Sequence, residues 1–129
     1  MLYRWEIYLW ENGKIVEEPN LTQYLVMPIY YEDRLNEELD TASVTLDSVP
    51  ISINNGEAFP PKTKFRLICC ENGKEVEHYD MVVDHDDVEY YEGAPEICCH
   101  RISLIEASVI AQGMHVDNIA LTYKLRDVT

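Results

Sequence analysis

The stretch EICCHRISLIEASVIAQG, Glu96 to Gly113, places two cysteines and a histidine directly ahead of an apolar run. Thiolate and imidazole are the usual ligands of zinc, and they also make up the nucleophile and base of a covalent catalyst. The spacing argues against zinc. Structural zinc sites draw both thiolates from a turn, whereas neighbours in a strand point to opposite faces. Cys98-Cys99 and the second pair, Cys69-Cys70, therefore offer one thiol each to any common centre. Cys98 and His100 are the pair left as candidate metal ligands. On a strand they share a face with Ile102 and Leu104, which is also where a core histidine, hydrogen-bonded to backbone or a carboxylate, would sit. A nucleophilic Cys98-His100 pair would need the thiol within hydrogen-bond reach of the imidazole and a third group to orient it.

Other chemistry is less well specified. Asp84 to Asp87, DHDD, offers hard oxygen ligands, but an EF-hand loop needs a central glycine and a closing glutamate that are not in register. The segment reads as a solvated acidic turn between two strands. A small metal-dependent hydrolase would have to gather His78, Asp84, His85 and the cysteine pairs in three dimensions, and strand alternation opposes that. No phosphate loop, dinucleotide fingerprint or nucleophile elbow is present. The reading is of a chain with no catalytic residue and no cofactor.

The elements that would carry these residues alternate with period two. Tyr3, Trp5, Ile7 and Leu9 fall on one face of a first strand, and Arg4, Glu6, Tyr8 and Trp10 on the other. The strand ends at ENGK, Glu11 to Lys14, whose Asn-Gly supplies the positive backbone angles of a two-residue hairpin. The same four residues return at Glu71 to Lys74. Nothing else matches around the two copies, so they read as two ordinary hairpins rather than a duplication. Further strands are expected at Leu25 to Tyr31, Thr41 to Leu46 and Val88 to Tyr91, with turn chemistry at Pro50, Asn54-Asn55-Gly56, Pro60-Pro61 and Gly93-Ala94-Pro95. About seven short strands make a β-barrel or barrel-like sandwich in a single domain, residues 1-129. One short α-helix is expected near 104-112, because Ser103 and Glu106 have capping-box spacing and Gly113 suits a helix end. A competing reading carries the strand to Ile105 and starts the helix near Ala107.

The 129 residues carry a formal charge of −14. Residues 71 to 96 hold ten acids against the single base Lys74. Such a surface repels phosphate backbones and anionic membranes, so neither sequence-specific nucleic acid nor a membrane is an expected partner. No run of eighteen apolar residues and no basic, apolar leader are present, which implies a chain made in the cytoplasm with reduced thiols. Aromatic residues on second strand faces, Tyr8, Trp10, Tyr30 and Tyr31, are candidate interface residues, although barrel filling accounts for them equally well. Exposed tyrosines would also serve a carbohydrate-binding β-sandwich.

Three runs, LNEELDTASVTL (Leu35 to Leu46), HDDVEYY (His85 to Tyr91) and HRISLIE (His100 to Glu106), resemble in order and spacing the N-terminal part of phage and prophage tail-tip hub proteins, the tail-associated lysin or prophage endopeptidase tail family. The resemblance extends from Tyr3 to Thr129, with DNIALTYKLRDVT resembling the end of that region. Relatives commonly continue the third run with Pro-Thr-Lys where this chain has Ala107-Ser108-Val109, which favours the later helix start. The resemblance implies a β-barrel hub domain in the virion tail tip, assembled as a homotrimer around the tail axis. It would dock on the distal tail ring protein and pass DNA or the tape-measure protein. The family's lysin or peptidase regions would lie beyond this length, and no catalytic residue is carried over.

Overall fold

The computed structural model describes residues 3–32 and 40–107. Seven strands form one antiparallel sheet: β1 (Tyr3–Glu11), β2 (Lys14–Val16), β3 (Leu25–Glu32), β4 (Thr41–Pro50), β5 (Lys64–Glu71), β6 (Lys74–Tyr91) and β7 (Ala94–Glu106). Their spatial order is β2-β1-β5-β6-β7-β4-β3. Both Asn-Gly pairs make the expected hairpins, with φ of 51° and 77° at Asn12-Gly13 and 52° and 82° at Asn72-Gly73. Left-handed backbone at two successive positions matches the twist of the flanking strands, and asparagine and glycine tolerate it best.

The sheet curls into a barrel-like shape. Tyr31 on β3 and Tyr79 on β6 are separated by two intervening strands along the ladder, yet their ring centroids lie 4.2 Å apart. Trp5 of β1 approaches Tyr79 from the other side, at 6.0 Å. The concave face encloses one core built from Ile7, Val44, Leu46, Phe65, Leu67, Met81, Val83, Ile102 and Leu104. These are the inward positions of alternating strands, and burying them drives the curl.

A short 3-10 helix, Leu21–Tyr24, lies beside β1 and contributes the fully buried Leu21. β2 pairs with β1 only from Leu9 to Glu11, so Ile7 would face an open edge. Thr22 takes the missing partner's place: the Ile7 N–H donates to Thr22 Oγ1, and that hydroxyl donates to the Ile7 carbonyl, both at 3.0 Å. One hydroxyl thus satisfies two backbone groups that lack a strand neighbour. Thr22→Val, which keeps the shape and removes the hydroxyl, is expected to lower stability by about 1 to 2 kcal/mol in urea denaturation.

Two expectations are corrected. Asp84 to Asp87 is no turn, and Val88 to Tyr91 is no separate strand, because β6 runs unbroken from Lys74 to Tyr91. β6 passes from one partner to the next without breaking: up to Val82 it pairs with β5, from Met81 onward it pairs with β7, and a register shift falls between Val83 and His85. Nor does a helix begin at 104, since β7 continues through Glu106. Ser103 pairs with Ser43 on one side and His85 on the other, so ladders on both flanks hold the strand where a capping box would have ended it. Glu106 instead clasps Asp40: its N–H donates to the Asp40 carbonyl, and its Oε1 accepts from the Asp40 N–H at 3.1 Å. Positions 108–112 lie outside the described residues.

Candidate functional site

His100 is central to the strand trio β4-β7-β6, pairing with Leu46 on one side and Val88 on the other. As alternation requires, Cys98, His100, Ile102 and Leu104 all point into the core, and Cys98 and His100 have no solvent exposure. Across the ladder, the register shift in β6 turns Asp86 inward. Its side chain is completely buried, and Oδ2 lies 2.7 Å from His100 Nδ1. On the other side of the ring, Cys98 Sγ stands 3.5 Å from Nε2.

Thiol, imidazole and carboxylate therefore form one relay. The carboxylate fixes Nδ1 as the donor, which leaves Nε2 to accept from the Cys98 S–H. Oδ2 also accepts from the Phe59 backbone N–H at 2.8 Å. The Phe59 ring lies over the imidazole, centroid to centroid 5.0 Å, and meets Phe65 edge-on at 5.4 Å. Asp86 Oδ1 is buried with no hydrogen-bond partner. Burial pushes the Cys98 thiol above its ordinary pKa, and the nearby Asp86 carboxylate adds to the effect, so the proton stays on sulfur in the closed core.

The sequence identified Cys98 and His100 and their shared face, but not their orienting group. Asp86 was hidden among four consecutive residues rich in acid, and Phe59 among turn residues. Only the register shift reveals that one acid faces inward. The two cysteine pairs sit on β5 and β7 with β6 between them. His78 lies near the far hairpin, 3.3 Å from Glu75, whereas His85 and Asp84 are exposed at the register shift. Among the described residues, no three His, Cys, Asp or Glu side chains are grouped so that they could hold a metal ion.

The aromatic candidates are engaged within the fold. The Arg66 guanidinium lies 3.7 Å above the Trp10 ring while forking onto Asp80 at 2.7 and 3.1 Å. The Tyr8 hydroxyl donates to Glu6 Oε1 at 2.9 Å. Tyr31 stacks on Tyr79 and donates to Asp40 Oδ2 at 2.8 Å. The backbone of Tyr30 pairs with Ser43, and its side chain lies outside the described residues.

On the convex face the Tyr91 hydroxyl donates to Asp47 Oδ1 at 2.6 Å. That bond, reinforced by burial, raises the phenol well above its usual pKa. An unfolded tyrosine loses its proton near pH 10 while the folded one holds it, so stability present below that pH falls as pH rises beyond it. Tyr91→Phe is expected to flatten this alkaline decline, read as Tm against pH from 8 to 11.

Compared with known proteins, the chain matches no protein-family model, no curated protein and no solved structure. Among the described residues, no helix is long and apolar enough to cross a membrane.

Proposed function

We propose that this chain is a structural component of a phage or prophage tail tip, a hub domain that works by assembling with copies of itself around the tail axis. The observation that carries the reading is where the three tail-hub-like runs come together. Thr41 to Leu46 of the first run lies on β4, the second on β6 and the third on β7, and β7 is zipped to both of its neighbours. Runs spread between Leu35 and Glu106 thus contribute to one continuous patch of sheet, with Asp86 from the second and His100 from the third locked together inside it.

The outward features suit assembly. β3 ends the sheet and leaves Val26 and Met27 at 42% and 48% exposure on that edge. An open strand carrying apolar side chains is a natural contact for a neighbouring subunit. Threefold closure needs a heterologous contact repeated around a ring. The distal tail ring protein and the tape-measure protein are the further partners of this reading.

Native mass spectrometry of the reduced protein, purified without chelator, tests it. The expected result is a metal-free species at three times the 15.0 kDa subunit mass. Because each subunit carries −14, raising the ammonium acetate concentration should favour the trimer by screening repulsion between subunits. A chain that stays at single mass throughout, with or without bound zinc, would overturn self-assembly as its mode of action.

A further inference from the structure

We infer that Cys98 is a latent nucleophile and a site of covalent modification by small, soft carbon electrophiles, uncovered when Phe59 and its neighbours in 57–61 lift from the sheet and activated by His100 and Asp86.

The relay has the connectivity that activation requires: thiol to Nε2 at 3.5 Å, Nδ1 to carboxylate at 2.7 Å. Its cover contributes a single side chain to the core. Within 57–62, Phe59 alone is buried and the residues on both sides of it are exposed. At the segment's middle, one ring against His100 and Phe65 and one N–H to Asp86 hold it over the imidazole, while its two ends are pinned, by the Lys62 N–H to the Val83 carbonyl at 3.0 Å and by the Asn54 side chain to the Glu57 and Ala58 carbonyls. Segments anchored through so few buried contacts open at far lower free energy than the whole fold. Asp86 Oδ1 adds an independent sign. It is buried and unpartnered, and water entering with the segment raised would satisfy it, which offsets part of the cost of opening.

Opening also changes the thiol. Desolvation is the first cause holding it protonated, and that cause is relieved once water reaches the site. The step then balances. Cys98 Sγ forms a bond to the electrophilic carbon and the leaving group departs with its bonding pair. The thiol proton passes to His100 Nε2, and Nδ1–H remains on Asp86 Oδ2. Cys99, equally buried on the opposite face of β7, has no imidazole beside it and serves as the internal control.

The test is alkylation of the native wild-type protein by iodoacetamide, with iodide as the leaving group. Each cysteine is followed by peptide mass spectrometry across urea concentrations below the unfolding transition. Cys98 is expected to react about tenfold faster than Cys99, with a rate nearly independent of urea, as local opening requires. His100→Gln, checked for folding by near-ultraviolet circular dichroism, should slow Cys98 about tenfold or more. Equal rates and equally steep urea dependence for the two cysteines would mean that only global unfolding exposes either, and would overturn the inference. An unchanged Cys98 rate in folded His100→Gln would overturn the activation. Should that variant fail to fold, the wild-type urea slopes decide alone.

Discussion

Asp86→Ala is expected to destabilise the protein by about 3 to 5 kcal/mol, because it removes the one acceptor that two buried donors share, each unanswered donor costing about 1 to 3 kcal/mol, and leaves a small cavity. The carboxylate is completely buried, and a single oxygen, Oδ2, answers both His100 Nδ1 and the Phe59 N–H. Its loss leaves two buried donors with nothing in the fold to accept from them. Asp86→Asn keeps the shape and one carbonyl acceptor, so it should cost less, about 1 to 3 kcal/mol. Replacing Asp86 and His100 together by leucine removes the unmatched imidazole as well. It should recover much of the loss, leaving mainly the orphaned Phe59 amide. Urea denaturation of the single and double variants, with midpoints and slopes fitted separately, gives the coupling directly. A double variant no more stable than the worse single one would show that the pair is not the source of the effect.

Phe59→Ala is expected to cost about 3 kcal/mol or more, in the range found for large-to-small changes of buried aromatic residues. The residue stands in a loop whose other members are exposed, and sequence alone would rank it as tolerant. Its ring fills the space between His100 and Phe65, so truncation both opens a cavity and admits solvent to a polar cluster. Phe59→Leu retains most of the volume and should lose roughly half as much. The same urea measurements decide it, and a loss below about 0.5 kcal/mol, typical of surface positions, would show that the ring does not seal the core.

Much of this architecture was legible because its signals are local. The two Asn-Gly hairpins, the inward set on β1 and the shared face of Cys98 and His100 all follow from turn chemistry and alternation over a few residues. What escaped depends on partners distant in sequence. Ser103 and Glu106 satisfy the local pattern of a helix start, but ladders from β4 and β6 engage Ser103 on both sides, and tertiary pairing overrides a modest local preference. Asp84 to Asp87 looks like a turn because acids favour solvent. The register shift after Val83 reverses which of them faces inward, and no property of the four residues themselves announces it. The orienting member of the site was missed for the same reason: its role comes from a histidine on another strand.

The order of strands also sets a timetable. β5, β6 and β7 follow one another through short turns, so this central meander can zip up as it leaves the ribosome. β1 cannot: its ladder partner β5 begins more than fifty residues after β1 ends, a wait of roughly 3 to 10 s at ordinary translation rates. β4 waits in turn for β7, the last described strand to be made. Two ribbons, β1-β2 and β3-β4, therefore emerge before the strands that will flank them, and the later-made meander is the template on which both are finally laid down.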